Sequence, residues 1–243
     1  WLAGFVLQFI IGTPLNLLAL IFIGPAMIPG LMAIGLVVLT IGAVWLGQEA
    51  LRLPDMIGIF LVLCAIALLG LSRLGIDLQS DELDPIFLAR LVIFSIAVAG
   101  LSIACYIPQK RSTRWLGVLR TLNAGLLYTQ SNLWIGILMI FPARWGNGLF
   151  STWDLLLVVI GSAIAIASSA FGIVETQRAF QVGDATKLVP IQAVPQQILP
   201  LVSYFAVFGL TPPNQESLLL AEIAAALILL GSLLLARRQA SMI

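Results

Sequence analysis

The sequence has no histidine, two cysteines and few charges: 12 Lys plus Arg and 11 Asp plus Glu, together 9% of 243 residues. A soluble domain carries roughly a quarter charged residues. Folded as a soluble domain, this chain would have too little polar surface to face water, so lipid is its expected solvent. Without histidine, neither a histidine-based triad nor a histidine metal cluster can be built, and no glycine-rich phosphate loop follows a strand. An enzyme is not expected, nor is a cofactor. Cys64 and Cys105 lie within apolar runs, as small packing residues do, and not in a disulfide or metal pattern. The net charge is +1 and the basic residues are scattered with no interleaved aromatic stripe, so no nucleic-acid partner follows.

What the chain has instead is apolar length. Hydrophobic residues make up 60% of it. Crossing a hydrocarbon core takes about 20 helical residues. Eight segments reach or approach that length: 1–23, 25–46, 54–71, 86–107, 117–141, 153–180, 187–210 and 217–236. The fold class expected is therefore all-α, a polytopic transmembrane bundle forming one domain over 1–243. Several links are very short: Gly24 and Pro25 separate the first two segments, and Gly183 and Asp184 separate the sixth and seventh. Such links force antiparallel neighbours. Trp115, Trp145 and Trp153 fall near segment ends, where interfacial aromatics belong. If successive segments cross in alternation, Arg52, Lys110, Arg111, Arg114, Arg120, Arg178, Lys187, Arg237 and Arg238 gather on one face. Arg73, Arg90 and Arg144 gather on the other. The positive-inside rule then places the C-terminus in the cytoplasm. A plasma or inner membrane is the expected location.

The first and last thirds share a pattern. A constant offset pairs Asn16 with Gln177 and Pro29 with Pro190; in each copy an amide-bearing helix ends at a tight turn and the next helix has a proline about one turn in. The first copy falls within 1–73 and the second within 86–238. The first segment leaves the cytoplasm and the sixth returns to it, so the copies have inverted topology, an arrangement common in secondary transporters.

The stretch from Asn16 to Gly58 resembles the drug/metabolite transporter (EamA-like) superfamily. Asn16, Ala19, Pro25, Ala26 and Pro29, then Trp45 and Glu49, then Leu51, Leu53, Ile57 and Gly58 fit its pattern without a gap. Within it, the chain is most similar to the NIPA-like group of magnesium transporters. Gln177-Arg178-Ala179 resembles that group's Asn-Arg-Ala, and Leu188-Val189-Pro190-Ile191 its Val-Thr-Pro-Ile. Gly125 to Gly136 also resembles a helix of the group. Thr13 departs from it, standing where the group has an acidic residue, and Pro29-Gly30 stands one position off its Thr-Pro. The resemblance implies an inverted-repeat fold of nine or ten helices and transport activity, with magnesium as the cargo of the nearest group. It also implies one or two further helices before Trp1.

Polar residues inside apolar spans are the candidates for function, because lipid does not solvate them. The fifth segment is richest: Thr121, Asn123, Tyr128, Thr129, Gln130, Ser131 and Asn132. At 3.6 residues per turn no single face holds them all, so some must bond to neighbouring helices. Glu175 is an acidic residue well inside a segment, with Arg178 three residues on. A local ion pair is one reading of it, and an ion-coupling site another. The seventh segment carries Pro190, Pro195 and Pro200 with Gln192, Gln196 and Gln197. Prolines at intervals of five free backbone carbonyls in succession, which is tolerated beside a cavity. Glu49 reads as an interfacial charge. The expected substrate lining is Asn16, Asn123, Tyr128, Asn132, Gln177 and Gln192, with Glu175 coupling an ion. These residues do not fix a metal-ligand set. Transport of a small solute or divalent cation by alternating access is the leading expectation. A non-transporting subunit of a larger membrane complex is the alternative. Lipid is the expected partner in either case, and a homodimer or larger assembly is compatible with both.

Overall fold

The computed structural model describes residues 11, 15, 53–72, 84–110, 115–146, 148, 151–183, 185–209 and 214–240. Apart from Ile11 and Leu15, the first two apolar segments, with Asn16 and Glu49, and so the first copy of the repeat up to Arg52, lie outside the described residues. Among the described residues there are seven helices and no strand: α1 (Leu53–Leu71), α2 (Pro85–Gln109), α3 (Leu116–Leu138), α4 (Phe141–Gly146), α5 (Thr152–Phe180), α6 (Ala185–Ala206) and α7 (Gln215–Ala240). Six of them correspond to the third through eighth apolar segments. The short α4 falls between the fifth and sixth.

The helix starts follow local chemistry. Asp84 caps α2 by accepting from the Ile86 N–H at 3.1 Å, and Pro85 occupies the first turn, where its missing N–H costs nothing. Ser151 caps α5 in a reciprocal box with Asp154. Arg144 of α4 then pairs with the Asp154 carboxylate at 3.3 Å, so the turn before α5 is locked at both ends. Beyond the end of α6 the chain turns at Gly209, with φ +60°; a Cβ there would run into the Arg90 guanidinium.

Burial shows how the helices pack. On α5 the buried residues beyond Asp154 are Gly161, Ala165, Ser168, Gly172, Glu175 and Ala179, alternating by four and three. α1 buries Gly58, Val62, Ala65 and Leu69 at the same spacing, and α7 buries Ser217, Ala221, Ala224, Ile228 and Gly231. Leu91, Ser95 and Val98 begin a like seam on α2. A seam recurring every 3.5 residues on average is that of helices crossing at a shallow angle. Its small residues let backbones come close, which is how helices associate where apolar burial gives no drive.

α3 is different. It is buried on every side, from Thr121 to Ile137, and packs against α2, α5 and α6. α7 packs against α6 and α1. Contacts fix the directions. Asn123 meets Glu175, and Trp134 meets Gly161, so α3 and α5 are antiparallel. Ser102 meets Asn123 and Ser95 meets Trp134, making α2 and α3 antiparallel. Gly125 faces Gln192 and Thr129 bonds to Pro195, and farther along Asn132 shares a small void with Pro200 and Ser203, so α3 and α6 run parallel.

α2 and α5 are long and apolar enough to cross a membrane. Only 17% and 22% of their most apolar stretches are buried. Ile93, Ile96 and Ile103 on α2 and Val159, Ile166 and Phe171 on α5 are all more than half exposed. The core helix of a soluble protein would be mostly buried instead. Trp115 opens α3 at one end, and Trp145 and Trp153 stand at the other; all three are exposed.

Candidate functional site

The polar side chains of α3 spread to three neighbours. Toward α2 and α5, the buried Asn123 donates through Nδ2 to Glu175 Oε2 at 3.4 Å, and its Oδ1 accepts from the Ser102 hydroxyl. Glu175 is 5% exposed. Its other oxygen lies 3.6 Å from the Arg178 guanidinium, which is largely exposed. Arg120 of α3 donates to the Arg178 carbonyl at 3.0 Å, tying the same ends of α3 and α5 together. Two hydrogen bonds, Ser102–Asn123 and Asn123–Glu175, therefore cross three helices, and the Arg178 ion pair extends them at one end. The local ion pair is present, and Glu175 also reaches out of its own helix to Asn123.

Tyr128 lies over α5, where its ring stands 3.2 Å from the place a Cβ on Gly172 would take. Asn132 turns the other way and, with Thr129, Pro200 and Ser203, borders a void of about 20 Å³ between α2, α3 and α6. Tyr128 and Asn132, one turn apart, thus reach different neighbours. Gln192 is half-buried on α6, with its carbonyl against Gly125. Gln177 is exposed among the described residues, away from the buried seam of α5. Of the expected lining, Asn123 and Glu175 come together. Tyr128, Asn132 and Gln192 are dispersed around α3, Gln177 stands apart from them, and Asn16 lies outside the described residues.

The larger cavity is elsewhere. About 370 Å³ opens between α2, α3 and α5, with Ser95, Ser102, Gln130 and Ser168 as its polar lining. Gln130 belongs to the polar set of the fifth segment but not to the expected lining, and Ser95 and Ser102 of α2 belong to neither. Ser95 and Ser102 are seven residues apart, the one pattern that would have put them on one face. Beside the cavity the remaining hydroxyls are paired: Ser131 donates to the Ala165 carbonyl at 2.9 Å and lies 2.8 Å from Ser169, and Trp134 donates to Ser95 at 3.1 Å.

No group of three or more Cys, Asp or Glu placed to hold a metal ion occurs among the described residues. Glu175 with the Asn123 and Ser102 oxygens offers a single carboxylate, a thin set for a hard divalent cation. Cys64 and Cys105 are free thiols, half-buried in α1 and α2. No protein-family model, curated protein or solved structure matches the chain.

Proposed function

We propose that this chain is an integral membrane transporter of the secondary type. In this reading it moves a small solute or a divalent cation by alternating access, with its C-terminus in the cytoplasm. Eight spans and an inverted repeat belong to the same reading, as does membership of the drug/metabolite transporter superfamily, where magnesium is the cargo of the group it most resembles. The observation that carries it is the carboxylate of Glu175, buried between α5 and α3 and hydrogen-bonded to the buried Asn123. A carboxylate in a membrane helix is costly, and it is retained where it serves a pathway. The alternating helix directions and the apolar outer faces of α2 and α5 support serial crossing of a bilayer.

Reconstitution tests it. Liposomes holding the chain should take up Mg²⁺, read by a trapped indicator, or one of a panel of small solutes, under a proton or sodium gradient. Glu175→Gln should reduce coupled uptake at least about ten-fold, the scale of losing a charged hydrogen bond. Folded protein that moves nothing under any gradient would overturn the proposal.

The second reading, an accessory subunit built on a transporter-like scaffold, has its own support. Asn132 borders only about 20 Å³ of space, and a Cβ on Gly125 would run into the Pro195 ring and lie 2.6 Å from the Gln192 carbonyl. The α3–α6 interface is thus closed where a central pathway was expected. A stable partner co-purifying in mild detergent, together with absence of flux, would favour this reading.

A further inference from the structure

The cavity between α2, α3 and α5 is separate from the α3–α6 interface, and two observations give it a ligand chemistry. The first is its lining. Four polar side chains, Ser95, Ser102, Gln130 and Ser168, are set in an apolar wall, and none is charged. An apolar cavity of ~150 Å³ already holds benzene, and sites for organic ligands start at roughly 300 Å³. At about 370 Å³ this one has room for a small organic molecule. The second is Gln130. It is 7% exposed and lines the cavity, yet its carbonyl Oε1 has no hydrogen-bond partner. A buried amide oxygen without a donor is costly. The last torsion of a glutamine is soft, and a hydroxyl or amide both donates and accepts, so a bound molecule bearing one can pair with whichever amide atom Gln130 turns to the cavity.

We infer that this cavity binds a neutral amphiphile, a molecule with an apolar body and one hydroxyl or amide head that pairs with Gln130. A cation does not fit a wall without a carboxylate. Ile96, Ala99 and Ile103, which line the cavity from α2, are exposed, so the cavity is open beside that helix and the ligand enters laterally, from the apolar surroundings. The inference rests on the membrane reading and narrows the solute class of the transport proposal. The chemistry is shared by water-borne alcohols and by neutral lipids such as diacylglycerol.

The probe is an aliphatic alcohol of eight to ten carbons bearing a photoreactive diazirine, applied to the full chain in phosphatidylcholine nanodiscs. Labelling should map by peptide mass spectrometry to 96–103 of α2 and 126–130 of α3, and saturate. Gln130→Leu should weaken it roughly ten-fold, as expected for one lost hydrogen bond in a dry site. Ala99→Trp, which fills the cavity from an exposed position, should abolish it. Thermal unfolding of each variant reports folding independently. Competition by 1-octanol alone would assign the site to water-borne alcohols, and competition by diacylglycerol alone to lipid; either supports the inference. Labelling spread evenly over the outer faces, or unchanged in folded Gln130→Leu and Ala99→Trp, would overturn it. The assay needs no ion gradient, so saturable labelling without flux would remove the transport reading and leave the binding site standing.

Discussion

Glu175 is held from two sides by groups of unequal weight. Arg178 reaches it from an exposed position, where water and salt screen an ion pair. Asn123 reaches it from inside the bundle and is itself 3% exposed. Arg178→Ala should therefore change thermal stability little, whereas Glu175→Ala should lower it clearly, because Asn123 loses its acceptor in a place without water. Differential scanning fluorimetry of the two variants in one detergent decides the order. Asp154 gives a second residue-scale test. It closes the α5 capping box and takes the Arg144 ion pair while 2% exposed. Asp154→Ala should cost about 1–2 kcal/mol for the cap alone and more for the lost ion pair with Arg144. Asp154→Asn should recover part of that cost. The sequence shows Glu175 and Arg178 as neighbours because a three-residue spacing on a helix is legible. It does not show Asn123 opposite them, since that contact depends on how α3 and α5 are set against each other.

At the scale of the helix, spacing that reads as mere apolarity in one dimension becomes a seam in three. Gly125 sits where α3 and α6 touch most closely, with the Gln192 carbonyl and the Pro195 ring where a side chain would go. A backbone carbonyl cannot step aside as a flexible side chain can, so Gly125→Ala should push the helices apart at a cost of about 1–3 kcal/mol. Gly100, on α2, has nothing within 4 Å of a Cβ position. Gly100→Ala should be neutral or stabilising, by up to about 1 kcal/mol of helix propensity. Chemical denaturation of both variants in one host membrane separates contact from propensity. The existence and rough bounds of α1, α2, α3, α5, α6 and α7 were legible because each is a long apolar run between polar breaks. The four-and-three alternation on α5 was there to be read as well, but Gly161, Ala165 and Gly172 look like filler until a partner helix is placed on them. Despite its three prolines α6 runs continuously from Ala185 to Ala206, and Thr129 of α3 donates to its Pro195 carbonyl at 3.2 Å, tying the two helices together.

For the molecule as a whole, the polar residues of α3 divide among neighbours because that helix has neighbours on all sides. A linear sequence shows that no one face can hold them, but not which neighbour each will meet, and so the expected single lining came apart. Orientation can be tested without knowing the cargo. With Cys64 and Cys105 replaced by alanine, a cysteine introduced after Arg238 should react with an impermeant maleimide only in inside-out vesicles, while one beside Trp145 should react only in right-side-out ones. The reverse pattern would overturn the assigned topology. The partnership of α1 with α7 has a further consequence, in time. Val62, Ala65 and Leu69 pack against Ala224 and Ile228, with α1 and α7 at opposite ends of the described chain. A ribosome adding about 5–20 residues per second needs on the order of ten to thirty seconds to travel from Ser72 to Asn214. Throughout that interval α1 has been made and its partner has not. The nascent protein must spend it with a small-residue seam open to whatever shares the translocation machinery. A chain stalled at Gly209 should accordingly be captured by a quality-control protease, and supplying α7 as a separate peptide should rescue it.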